Sequence, residues 1–333
     1  KKIVYLLTIL ICSFILIKMS RYREFGNDLI PLLITSYLLI KIFDHIFYKN
    51  FDRTEIIKLF PLYSIFIFSH KISYIFSSLI FLTIIKKNDL FKIFKNNYTF
   101  ILFLAFSSFW IAKNIINTSC IAYPVVFSCL ENTSWYLSGT ADPKNASWLT
   151  ELWAKDFITK DNWKDLNLDA YINSFQWVPN WLENHFVKIL EKVSPLLLVC
   201  VLITIFLFTK KNTNKKKNIK IYNKQKLITL LFLIIIGLTV WFLNAPVFRY
   251  GAFYIISFIS VIYILVMMKF IQNLRIKELK KIKIIFFISI AIFVFKNIDR
   301  QFSSSNNLFP VTSLKINEYK TVIDTGPIIL KPV

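Results

Sequence analysis

Glycine is scarce in this chain, with 5 among 333 residues. That excludes Gly-rich phosphate cradles, and neither a P-loop nor a dinucleotide fingerprint is present. Three histidines and four cysteines show no metal-ligand spacing, so no metal or cofactor is expected. A nucleophile elbow is missing too. Acidic residues are few, 19 against 41 Lys and Arg, for a formal net charge of +22. In a soluble protein that excess would point to nucleic acid. Here the lysines crowd beside long apolar runs, which is the positive-inside pattern, and no nucleic-acid partner is expected.

What the chain does have is apolar length. Hydrophobic residues make up 56% of it and aromatic residues 17%. Several runs reach or approach the ~20 residues that cross a bilayer. The expected fold is all-α: a polytopic transmembrane bundle of about 7–8 helices with an external loop of short amphipathic helices. The chain opens at Lys1 without a Met, which leaves open a fragment with further spans upstream. Lys1 and Lys2 before an apolar run mimic a signal peptide, but no small-residue cleavage site follows.

Four regions follow from the pattern. Residues 1–117 read as N-terminal transmembrane helices, with a first external loop near 18–28. Residues 118–185 form an external Trp-rich loop, 186–297 the C-terminal transmembrane helices, and 298–333 an external tail. The run 29–50 either crosses or lies in the interface. The run 59–85 is interrupted by His70 and Lys71 and is either one tilted helix or two short ones. Lysines between 210 and 226 mark an inside loop, and the basic stretch 269–283 reads as a second. In the external loop, 146–158 and 169–184 read as amphipathic helices at the membrane surface, where tryptophan prefers to sit.

The candidate functional residues are ionisable groups at the outer ends of the spans. Asp28 follows a Gly-Asn turn; it is either a general base or a helix cap. Arg21 and Arg23 suit a phosphate or lipid headgroups. Lys71 lies within an apolar run, where a charge is functional by default unless it snorkels. Lys113 ends its span and snorkels more easily. Arg249 and Tyr250, in a short turn after Pro246, suit a lipid phosphate, although Tyr at the interface is also common. Cys120 and Cys129 either form a disulfide or stay as two buried thiols. Cys12 and Cys200 read as small apolar packers.

From Trp110 through Lys113, Asn114, Ser119, Tyr123 and Pro124, the chain resembles the C-type membrane glycosyltransferase superfamily. The similarity is to its polyprenyl-phosphate-sugar-dependent, protein-mannosyltransferase-like branch, with Lys113 where Arg is usual. Lys71, Ile72 and Ser73 resemble that family's lysine-containing span, and Arg249-Tyr250 its late Arg-Tyr pair. The segment from Ser20 to Asp28, SRYREFGND, resembles a first external loop of bacterial members. The resemblance implies inverting transfer of a sugar from a polyprenyl-phosphate donor to an acceptor at the external face of the bacterial inner membrane. It implies Asp28 as catalytic base. Arg21, Arg23, Lys71, Lys113, Asn114, Tyr123, Arg249 and Tyr250 would form the substrate and phosphate site, with membrane lipid as the surroundings.

Three rivals differ in kind. An O-antigen polymerase or ligase-like enzyme would use external arginines and a histidine, here Arg249 and His185. A transporter or flippase predicts inverted repeats and Gly/Pro-broken helices, which the sequence does not show. An assembly subunit for cell-surface glycans would tolerate loss of Asp28, Arg23 and Arg249.

Overall fold

The computed structural model describes residues 1–18, 28–48, 53–85, 97–157, 168–208, 223–274 and 276–303. Among them there is no β-strand, only an isolated bridge between Cys120 and Cys129. The fold is all-α. Five helices are long and apolar enough to cross a membrane: Leu29–Tyr48, Tyr98–Thr118, Val178–Phe208, Lys224–Asn244 and Phe248–Ile271.

The bundle is built around α1 (Lys2–Lys18). This helix is apolar all round, which suits a helix covered on every side, and Leu6, Leu7, Leu10 and Phe14 are fully enclosed. It packs against α2 (Leu29–Tyr48), α9 (Val187–Phe208), α11 (Phe248–Asn273) and α12 (Ile276–Ser303). The run 29–50, left open between crossing and lying flat, is the 20-residue helix α2, with Pro31 in its first turn where no N–H is needed.

The run 59–85 is not one helix. α3 (Arg53–His70) stops just before Lys71, and a tighter chain follows: 3₁₀ turns at Ile72–Tyr74 and Leu79–Thr83 flank a single α-turn, α4 (Ile75–Ser78). The break has a local cause. Ser69 Oγ and His70 Nδ1 both bond the Phe66 carbonyl, each at 2.9 Å, and so compete with the helical ladder. α5 (Asn97–Thr118) leans on α3 and leaves most of its surface outward, Phe109 at 78% exposure.

Two other expectations need correction. The stretch 169–184 is broken into α7 (Leu168–Asn173), α8 (Val178–Trp181) and a π turn at Leu182–Phe186 that runs into α9. Pro179 starts a new helix there rather than continuing the old one. The basic stretch 269–283 is largely helical, with α11 running to Asn273 and α12 starting at Ile276. Lysine is a good helix former, so a basic face does not require a loop. α6 (Pro143–Ala154) lies where 146–158 was expected, and α10 (Lys224–Asn244) precedes α11.

Polar contacts collect at the two ends of the bundle. At one end, Lys2 Nζ reaches the Leu274 carbonyl, Lys226 Nζ lies 3.2 Å from His45 Nε2, and Asn223 N–H meets the Ile46 carbonyl. At the other end, Lys296 Nζ bonds the Ile17 carbonyl at 3.0 Å, and Trp181 bonds the Pro246 carbonyl.

Candidate functional site

The second end carries a charged cluster made by three elements that are distant in sequence. Asp28 stands immediately before α2, Lys71 at the break after α3, and Arg249 in the first turn of α11. Lys71 Nζ donates to Asp28 Oδ1 and Arg249 Nε donates to Asp28 Oδ2. Both carboxylate oxygens are thus engaged. The Asp28 side chain is 2% exposed, that of Lys71 12% and that of Arg249 48%. The two cations exceed the one anion, and the surplus charge sits on the half-exposed arginine. Such a site suits a second anion, because guanidinium offers further N–H donors beyond the one Asp28 takes.

Lys71 is held from several sides. Its ammonium lies 3.4 Å from the Arg249 carbonyl, 4.3 Å from the centroid of the Tyr250 ring and 6.0 Å from that of Tyr74. Burial pushes its pKa down from the ordinary 10.5 to about 8, against the opposing pull of Asp28, while the like charge of Arg249 adds to the depression. Tyr74 was not singled out in the sequence. It is fully buried, and its hydroxyl has no hydrogen-bond partner among the described residues. The only sequence signal was its place three residues after a lysine in an apolar run.

Arg249 is set by the turn between α10 and α11. Residues 245–247 are outside regular structure, so their carbonyls need partners. Two indoles supply them: Trp181 Nε1 bonds the Pro246 carbonyl at 2.6 Å and Trp241 Nε1 the Val247 carbonyl at 2.8 Å. Gly251 lets Trp241 come this close, since a Cβ there would stand 2.4 Å from its ring. Trp177, Trp181, Trp241 and Phe242 form one aromatic knot, and Trp177 and Trp181 are buried. These tryptophans hold the turn in place. The sequence pattern predicts Trp177 and Trp181 at a membrane surface, whereas here both are enclosed by protein.

Arg21 and Arg23 fall outside the described residues. Lys113, Asn114 and Tyr123 make no hydrogen bond or ion pair with the Asp28 cluster among the described residues. Asn114 Nδ2 bonds the Ile121 carbonyl at 3.0 Å and Tyr123 Oη the Ala141 carbonyl at 3.1 Å. Both shape the loop that leaves α5. A disulfide joins Cys120 and Cys129 in that loop, and Trp135 Nε1 ties it back to the Ile115 carbonyl.

Lys113 instead lines a groove of about 380 Å³ between α3 and α5, with Ser69, His70, Phe106, Phe109 and Trp110. Phe106 also borders a wholly apolar cavity of about 300 Å³, lined further by Ile34, Leu62, Tyr63, Ile65 and Phe66. Phe106 is common to both linings.

Residues 1–256 match the family described as Domain of unknown function (DUF8201), and the chain belongs to that family. No curated protein and no solved structure matches the chain.

Proposed function

For this member of a family of unknown function, we propose a multi-pass enzyme of the bacterial inner membrane. It transfers a sugar from a polyprenyl-phosphate donor to an acceptor at the external face. The observation that carries the reading is the cluster in which Asp28 holds both Lys71 and Arg249 at one end of an apolar bundle. In this reading that end is the external one, because the lysine-rich stretch near 210–226 joins the opposite ends of α9 and α10.

The chemistry follows from charge. The acceptor oxygen attacks the anomeric carbon, the bond to phosphate oxygen breaks, and its electron pair leaves with the lipid phosphate. Negative charge on the phosphate rises as that bond breaks. Arg249 and Lys71 stabilise the added charge more than the ground state, which is the condition for rate acceleration. Asp28 keeps the two cations in place while the site is empty. The base role that the resemblance assigns to it requires one cation to leave first. The groove between α3 and α5 supports a lipid substrate, since Phe106, Phe109 and Trp110 line it together with Lys113 and His70.

The test uses the purified chain in lipid nanodiscs. It measures binding of undecaprenyl phosphate, then turnover of a panel of undecaprenyl-phosphate sugars. Arg249→Ala is expected to weaken undecaprenyl phosphate at least about tenfold, the scale of one charge-assisted contact. Equal binding by wild type, Arg249→Ala and Lys71→Met would remove the phosphate site.

A further inference from the structure

A second polar cluster, outside the Asp28 site, lies where the loop helices meet the start of α9. Asp156 is 4% exposed and has a positive φ of 61°. It stands just past the C-terminus of α6. Phe157 N–H bonds the Leu152 carbonyl and Asp156 N–H the Trp153 carbonyl, which is the Schellman closure of a helix. Glycine is the usual residue at that left-handed position; Asp is among the few others that tolerate it. The carboxylate is put to use. Asn184 Nδ2 donates to Asp156 Oδ2, and His185 Nε2 lies 3.5 Å from Oδ1.

The histidine side is equally shaped. Asn184 and His185 both belong to the π turn at Leu182–Phe186, a widened turn of a kind frequent at functional sites. The His185 side chain is 13% exposed, and its ring and that of Trp153 stand nearly perpendicular with centroids 6.4 Å apart. A carboxylate on Nε2 favours the tautomer with the proton there, which leaves Nδ1 as the acceptor. In sequence, His185 falls between two residues that contact the approach to Arg249. Trp181, four residues earlier, bonds Pro246, and Lys192, seven residues later, lies 5.7 Å over the Phe248 ring.

We propose that His185 is the acid–base residue that takes the proton of the acceptor hydroxyl, and that Asp156 positions it. This rests on the phosphate-donor reading of the Asp28 cluster. As the acceptor oxygen bonds the anomeric carbon, its proton passes to His185 Nδ1, and the sugar–phosphate bond breaks with its electron pair on the phosphate. The imidazolium so formed is stabilised by Asp156 and later gives its proton to water. The charged groups facing His185 are Asp156 from the end of α6 and Lys188 and Lys192 from α9.

Water serves as acceptor in the test, so the natural one need not be known. Release of free sugar from the undecaprenyl-phosphate panel is measured in nanodiscs for wild type, His185→Gln, Asp156→Asn and Asp28→Asn, with undecaprenyl phosphate binding measured in parallel. His185→Gln is expected to bind undecaprenyl phosphate like wild type and to release sugar about 10²–10⁴-fold more slowly. Wild-type turnover should fall along an acid limb that lies below the ordinary histidine range, because burial lowers the His185 pKa, and His185→Gln should lack that limb. Asp156→Asn, compatible with the left-handed position, should shift the limb without loss of binding. Wild-type rate and pH profile in His185→Gln, with binding intact, would overturn the proposal alone. So would an acid limb that vanishes in Asp28→Asn but persists in His185→Gln. Failure of the wild type to bind undecaprenyl phosphate overturns both this assignment and the phosphate reading beneath it.

Discussion

Arg249 donates its Nε–H to Asp28, a residue 221 positions earlier in the chain, and Lys71 takes the other oxygen of the same carboxylate. The first turn of α11 is thereby fastened to the start of α2 and the end of α3. Asp28→Asn would leave a buried ammonium beside a guanidinium with no counter-charge. Removal of one member of a buried pair typically costs about 3–5 kcal/mol. Arg249 is half exposed and screened, so a loss of about 2–3 kcal/mol is expected here. Thermal unfolding in detergent measures it. Asp28→Leu combined with Lys71→Met should recover most of the loss, and a wild-type midpoint in Asp28→Asn would show that the pair is not holding these elements.

Affinity for undecaprenyl phosphate should depend on pH through Lys71. That residue sits between helices at the bundle end, and its ammonium titrates at about 8. Below that value the charge is present. Above it the free site loses its proton, and binding an anion must restore it. Affinity should therefore fall by up to about tenfold per pH unit from pH 8 toward the ordinary lysine value. Lys71→Arg keeps its charge over this range and should give a flat curve. A flat curve in the wild type would mean that Lys71 does not meet the phosphate.

Much of the bundle was legible because helices that could cross a membrane need length and apolarity, and both can be counted along the chain. Asp28, Lys71 and Arg249 were legible singly, as charges beside or within apolar runs. Their convergence was not, since nothing local in residues 28, 71 or 249 encodes a partner in another segment. The roles of Trp181 and Trp241 were hidden for the same reason: an indole bonding a distant carbonyl has no sequence signature. Asp156 was missed because Asp at a helix end reads as a solvated residue, whereas its left-handed backbone and burial appear only in three dimensions.

The disulfide gives a prediction about the loop after α5. Four cysteines are present, with Cys120 and Cys129 paired and Cys12 and Cys200 free. Denaturation without reductant should expose two alkylatable thiols, and reduction should raise that to four, read by mass. Closing a loop of this size restricts the unfolded chain by about 2–3 kcal/mol in the chain-entropy treatment. Cys120→Ser with Cys129→Ser should therefore quicken proteolysis in the loop near Glu131 without unfolding the bundle. Four alkylated thiols before reduction would rule the bridge out.

The turn that aims Arg249 can be disturbed from behind. An Ala at Gly251 would place its Cβ 2.4 Å from the Trp241 ring, and that ring is fixed by its bond to the Val247 carbonyl. The indole must move, and the turn with it. Overpacking of this kind costs about 1–3 kcal/mol. Gly237→Ala is the matched control: its Cβ would stand 2.3 Å from the Tyr254 ring, and its three nearest atoms all belong to that ring rather than to an indole. Both variants should unfold earlier than wild type. Only Gly251→Ala should also weaken undecaprenyl phosphate, because only there does the residue carrying the guanidinium lose its support. Equal affinity losses in the two would mean that general destabilisation, not the Trp241 contact, sets the position of Arg249.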